Sequence, residues 1–270
     1  MALTLTPKAD ATERLDLSPL TPSKLQGTAT ADIANLTIGC GLHPVMVGDV
    51  FAISGDISDG EIVIAGGSNR YDNVGAKLNA GTIRVDGDVG HFAGTEMSGG
   101  NLLIEGNARH HLGSSMSDGL LTVKGNVGDR LGAPRPGVRD GIAGGIVIVE
   151  GTAGHDCGER QRRGLVLIKG QVGDYSGGRM LGGTIWSLTG FGRGLGVQMR
   201  RGTIITPKLE APLSTFLDCG IHTLGILDIM SRHYASILGD TLPALPTGPV
   251  RRFAGDMASI GRGEILVPIG

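Results

Sequence analysis

The chain has 270 residues, a formal net charge of −2, 40% AVILMFWYC residues, 48 glycines and only nine aromatics (one Trp, three Tyr, five Phe). Near-neutral charge excludes a bulk binder of nucleic acid or membrane, and no apolar run approaches the roughly 20 residues of a membrane span. Glycine without a strict three-residue period excludes collagen, and regular aliphatic runs exclude a disordered Gly-rich chain.

Residues 1–55 read as a strand-like capping region with loops, in which HPVMVGDVFAISGD (43–56) is expected to be a hairpin or an imperfect coil. The opening MALTLTPKAD has neither a positive start nor a long apolar segment, so no signal peptide is expected. From Gly60 a repeat takes over: Gly60, Gly81, Gly100, Gly119, Gly145, Gly164, Gly183 and Gly202 each open a short aliphatic run, spaced 21, 19, 19, 26, 19, 19 and 19 residues apart. Places two and four after each glycine are aliphatic, as in Ile83/Val85 and Val166/Ile168, which is strand period. Further glycines recur at places six, nine and thirteen. One strand and several sharp corners in 19 residues leave no room for a helix. The expected fold is all-β, a right-handed parallel β-helix of about seven 19-residue coils over 56–207. Two further columns should point inward: Leu78, Met97, Met116, Ile142, Gln161, Met180 and Met199, and Ala93, Leu112, Leu131, Cys157, Ser176 and Leu195. Residues 208–270 form the third region. Within it 213–238 reads as one or two helices starting at Ser214 or Thr215 and stopping at Gly239, before a Pro-rich linker (241–250) and a short terminal strand.

Little in this pattern performs chemistry. Cys40, Cys157 and Cys219 form no CxxC, and Cys157 falls in a core column. GFGRGLG (190–196) lacks the dinucleotide spacing and there is no GK[ST], so these glycines read as coil corners. His110–His111 and His155 read as lying at different places in the repeat, without a metal-ligand set. Asp86 and Asp88 flank a turn glycine. No catalytic, cofactor or metal residue is assigned in this chain.

Two surface features stand out. The outward places one and three should be polar on a wet sheet, yet they include Ile148, Leu167 and Trp186. Something covers that strip, either the chain's own 213–238 segment or a partner. Residues 130–201 carry ten Arg and one Lys against five acids, so +6 locally leaves −8 elsewhere. Arg160 and Arg179 share place fifteen, Arg162 and Arg200 place seventeen, and Arg163 and Arg201 place eighteen, so stacking makes one basic corner, which Arg135 and Arg139 should join. It is either a solvated face or a surface for an acidic partner or anion.

The repeat GGxIxIxGxxGxxxGxxMxGG over 60–206 resembles the GxxGxxxG domain shared by glutamate synthase large subunits and the C-type subunits of the formylmethanofuran dehydrogenase family. The tail FAGDMASIGRGEILV resembles the FxGDxAxxGKGxLxV ending of those C-type subunits, and a start of Met-Ala rather than catalytic Cys is read against glutamate synthase. An excess of Arg over Lys favours the version in methylotrophic bacteria, a formyltransferase/hydrolase complex. The resemblance implies a non-catalytic scaffold subunit in the cytoplasm. Its partners would be A-, B- and D-type subunits that bind a methanofuran-type carrier and metal, zinc in the hydrolase version and molybdenum or tungsten in the archaeal dehydrogenase. The complex would pass a formyl group from formyl-tetrahydromethanopterin to the carrier and release formate. It adds another use for the arginines, guidance of the carrier's anionic tail.

Overall fold

The structure, a computed structural model, describes residues 2–239 and 245–269; residues 240–244, including the start of the Pro-rich linker, lie outside the described residues. The chain opens with β1 (Leu3–Pro7), β2 (Leu15–Asp16), α1 (Pro22–Leu25), α2 (Thr30–Ala34), β3 (Thr37–Cys40), β4 (His43–Met46), α3 (Val47–Val50) and β5 (Phe51–Ser54). The repeats supply β6 (Glu61–Ile64), β7 (Tyr71–Asp72), β8 (Thr82–Val85), β9 (Ser98–Ile104), β10 (Asp118–Val123), β11 (Ile146–Val149), β12 (Leu165–Ile168), β13 (Thr184–Ser187) and β14 (Arg201–Ile205). The end holds β15 (Leu217–Thr223), α4 (Gly225–Leu238), β16 (Pro249–Gly255) and β17 (Arg262–Pro268).

The protein is mostly β, with one large mixed sheet of 13 strands in the order β15-β16-β17-β14-β13-β12-β11-β10-β9-β8-β6-β1-β5. From β1 to β17 neighbours run parallel, and only the two ends are antiparallel. The register reproduces the glycine spacing. Glu61 pairs with Thr82, Thr82 with Asn101, Asn101 with Leu120, Leu120 with Ile146, Ile146 with Leu165, Leu165 with Thr184, and Thr184 with Thr203. A second parallel line of contacts joins Val89, Ala108, Val127, Ala153, Val172 and Phe191 in the same steps.

Glycine recurs because backbone rests on backbone. Gly164 has φ of +80°, and a Cβ there would come 2.6 Å from the Gly145 carbonyl oxygen. Gly170 has an ordinary φ, but its Cβ would also meet the carbonyl oxygen of the glycine one repeat earlier at 2.6 Å. The inward columns are sealed: Met97, Met116, Ile142, Gln161, Met180 and Met199 are 0% exposed. Gln161 stands between Ile142 and Met180 in its column, and its amide nitrogen donates to the carbonyls of Arg163, Gly164 and Thr184.

Two side-chain ladders also tie one repeat to the next. At place seven, Asp88 Oδ1 accepts the Asn107 amide N–H (2.7 Å), Asn107 Oδ1 that of Asn126 (2.8 Å), and Asn126 Oδ1 that of Thr152 (2.9 Å). At place ten, His110 Nδ1 accepts from the Asp129 N–H (2.9 Å), Asp129 Oδ1 from His155 N–H (2.8 Å), His155 Nδ1 from Asp174 N–H (3.0 Å), and Asp174 Oδ1 from Arg193 N–H (2.8 Å). His110 and His155 therefore share one place in the repeat, contrary to the sequence reading. Both present an unprotonated Nδ1 to a backbone donor.

Outside the repeats the expectations need revision. Residues 43–56 are not one hairpin: β4 pairs with β3, β5 pairs with β1, and α3 separates them, with the Asp49 carboxylate accepting the Met46 N–H. The helix expected from Ser214 or Thr215 begins only at Gly225. Residues 217–223 are a strand because Gly220 adopts φ of +82°, its N–H bonds to Asp218, and β16 offers a free edge. Gly239 does terminate α4, with φ of +55°.

The apolar strip is covered by the chain itself. Ile148 and Leu167 are 0% exposed and Trp186 is 5% exposed, packed with Ile205, Leu227, Val250 and Leu266. Leu227, Met230 and Tyr234 present the inner side of α4 to them.

Two results are expected. Leu167→Asp would place an unpaired carboxylate in this second core and cost several kcal/mol; a denaturant midpoint equal to that of the parent chain would contradict the packing. Burial, with Arg14 beside His91 and Arg130 beside His111, lowers both imidazole pKa values, so the fold holds these rings neutral. Their contribution is complete above the unfolded value, about 6.5, and is lost as pH falls below it because the unfolded chain then binds more protons. Thermal melts should show Tm falling from pH 7 to 5.5, less steeply in His111→Phe, whose ring still stacks on Phe92. Identical slopes would count against it.

Candidate functional site

One corner of the repeats gathers charge. In GERQRR (158–163), Gln161 turns into the core and leaves Arg160 on one side, with Arg162 and Arg163 on the other. Arg179 stacks on Arg160, while Arg200 and Arg201 lie two repeats beyond Arg162 and Arg163, with Leu181 and Gly182 between. Arg160 and Arg179 both have φ of +53°, the left-handed corner conformation that costs an L-residue roughly 1–2 kcal/mol.

The corner is a cleft rather than a convex surface. A cavity of about 520 Å³ is lined by Arg139, Asp140, Arg162, Arg163, Leu181, Arg200, Arg201 and Ile260. A second, of about 310 Å³, shares Arg139, Asp140, Leu181 and Arg200 with it and adds Arg160, Arg179, Gln198, Ala258 and Ser259. All six arginines singled out in the sequence thus line one connected groove. The 133–139 insertion contributes only Arg139, because Arg135 is drawn away into an ion pair with Glu96.

Some of this charge is neutralised. Arg162 pairs with Asp140 at 2.8 Å, and the largely buried Glu159 serves Arg179 at 2.9 Å and Arg130 at 3.4 Å. Arg163, Arg200 and Arg201 have no carboxylate partner among the described residues, and all three are exposed. Three unpaired guanidiniums bordering a cleft favour an anionic occupant over a solvated face.

The far wall is the loop 256–261 from the tail sequence, which no spacing rule connected to the arginines. Strand pairing brings it there: β17 lies beside β14, with Arg262 opposite Arg201. Asp256, 2% exposed, fastens the loop by accepting the Gln198 and Ala258 amides at 2.8 Å each. Burial alone would raise this carboxyl, but hydrogen bonds from the Thr215 side chain and these amides outweigh it and hold the pKa below its usual range.

The remaining candidates have structural places. Cys157 is buried, and desolvation raises its thiol to about 12, far from a thiolate nucleophile. His110 and His155 are committed to the ladder, Asp86 holds Arg84 at 2.7 Å, and Gly190, Gly194 and Gly196 occupy corners with positive φ. Among the described residues no three His, Cys, Asp or Glu side chains converge as a metal site, and no helix is long and apolar enough to cross a membrane. A thiol reagent should label Cys157 only after unfolding; labelling in the native chain at the rate of an exposed thiol would contradict its burial.

No family model matches the sequence. The C-type subunit of the formyltransferase/hydrolase complex of Methylorubrum extorquens is 49% identical over 87 residues, 32% of each chain. The C-type subunit of the tungsten-containing formylmethanofuran dehydrogenase 2 of Methanothermobacter marburgensis is 32% identical over 94 residues, 33% of this chain and 35% of that one. The matched part spans about a third of each of these curated relatives. A chain in the crystal structure of the Methylorubrum extorquens formyltransferase/hydrolase complex with methylofuran is similar throughout, with a TM-score of 0.91 and 36% identity covering 99% of this chain and 100% of that chain. With that agreement over both full lengths, and a C-type subunit as the matching relative, the chain belongs to the C-type subunit family of formyltransferase/hydrolase complexes.

Proposed function

We propose that this chain is the scaffold subunit of a cytoplasmic formyltransferase/hydrolase complex. In that reading A-, B- and D-type partners pass a formyl group from formyl-tetrahydromethanopterin to a methanofuran-type carrier and hydrolyse it to formate. The observation that carries the proposal is the full-length similarity to a chain of such a complex solved with methylofuran. The archaeal dehydrogenase version is the weaker reading, since its C-type subunit is 32% identical against 49% for the hydrolase version. Metal and reactive groups belong, in this reading, to the partners, zinc among them. The neutral Cys157 and the ladder-bound histidines support a non-catalytic role.

The same proposal extends to architecture. Residues 56–207 wind as a right-handed parallel β-helix of about seven 19-residue coils, a reading supported by two parallel lines in one register and by the usual hand of parallel crossovers. Residues 1–55 cap its first coil, and 208–270 cover one face and close the other end. Contacts with partners run along Arg160, Arg162, Arg163, Arg179, Arg200 and Arg201, and over the C-terminal cover that rests on Ile148, Leu167 and Trp186.

Affinity purification from the native host tests this. The chain should bring down transferase- and hydrolase-type subunits with bound metal, and the isolated, metal-supplemented chain should neither transfer nor hydrolyse formyl groups. Turnover by the isolated chain, or its recovery without partners, would contradict the proposal.

A further inference from the structure

The arginine cleft is shaped for a particular kind of anion. Its unpaired charges are spread along the direction in which repeats stack, because Arg163 and Arg201 are two repeats apart with Gly182 between. At about 4.8 Å per strand that separation is roughly 10 Å. A compact anion such as phosphate draws guanidiniums to one point, whereas the backbones that carry Arg163 and Arg201 are two strand spacings apart and offer charge at two levels. Leu181 and the half-exposed Ile260 also place apolar surface between the charges, which suits a chain with a backbone and not a bare ion. The rest of the molecule carries a charge of −8, which opposes a long nucleic acid.

An extended peptide in the polyproline II conformation returns every third side chain to the same face after about 9 Å. That pitch matches two repeats of the stack. We propose that the cleft between the arginine corner and the loop 256–261 binds one extended acidic peptide segment of a partner polypeptide, with carboxylates at every third residue on Arg163 and Arg201 and the intervening side chains against Leu181 and Ile260. Arg200 borders both cavities and completes the grip. The assignment of the segment to a partner rests on the scaffold reading above; binding of the peptide itself does not.

The test is fluorescence anisotropy of the full-length chain with a labelled proline-rich decapeptide bearing glutamate at every third position. Controls are its isomer with the glutamates contiguous and inorganic phosphate as competitor. The spaced peptide should bind, should weaken as salt is raised, and should lose at least about tenfold in affinity in Arg200→Glu/Arg201→Glu. Arg70→Glu/Arg109→Glu, an equal charge change on two exposed residues outside the cleft, should leave binding unchanged. If the double reversal fails to fold, as judged by its thermal melt, Arg201→Gln serves in its place and should weaken binding in the same direction. Equal affinity of the parent chain and the cleft variants would overturn the proposal. So would equal affinity for the two isomers, or displacement by phosphate at peptide-like concentrations. Any of these failures leaves the scaffold reading standing if the other subunits still co-purify, whereas peptide binding without co-purifying subunits removes the partner and keeps the site.

Discussion

Each repeat sets its backbone directly on the backbone of the one before it, and everything else in this molecule follows from that contact. The hydrogen-bonding distance between parallel strands leaves no room for a Cβ at the corners, as at Gly164 and Gly170, so glycine recurs in register. The same contact sends places two and four of every repeat into one narrow core. That core is filled by small aliphatics and methionine, which explains how 270 residues fold with nine aromatics. It also stacks corner side chains on their own kind. An acceptor at a corner, such as Asn107 or His155, then meets the backbone donor of the next repeat and tightens the stack further.

Stacking applies to charge as well, and here it works against stability. Arginines at one corner of successive repeats repel, and the molecule relieves only part of the repulsion, through Asp140 and Glu159. The uncompensated remainder lies beside the loop that Asp256 pins to the last repeat. A wall held by a buried carboxylate and a floor of guanidiniums without carboxylate partners among the described residues form a cleft from elements whose first role is to hold and end the stack. The apolar strip took the other course. Its side chains, Leu167 and Trp186 among them, are sealed by the chain's own C-terminal segment, which leaves the outer side of α4 for any neighbour.

The repeat was legible in the sequence because its periodicity is dictated by contact: glycine spacing and strand register are the same series of numbers. The six arginines were legible for the same reason, since equal places in the repeat line up along one corner of the stack. What could not be read depends on contacts between segments without a shared period. The tail loop reaches the arginines through the pairing of β17 with β14, and residues 217–223 become a strand because β16 lies alongside. The ladders were legible and were missed. His110 and His155 lie ten residues after their opening glycines, and Asp88, Asn107 and Asn126 seven after theirs. Polar residues counted by place in the repeat, like the aliphatics, reveal both.

The central claim is that this chain acts by holding other polypeptides, with its arginine cleft as one of the grips. The most direct measurement is a cryo-electron microscopy structure of the complex purified from the native host. The account predicts the chain bound among transferase and hydrolase subunits, with an acidic segment of one of them lying along Arg163, Arg200 and Arg201. A complex in which that cleft opens onto bulk solvent, with every contact to the partners made elsewhere, would contradict it.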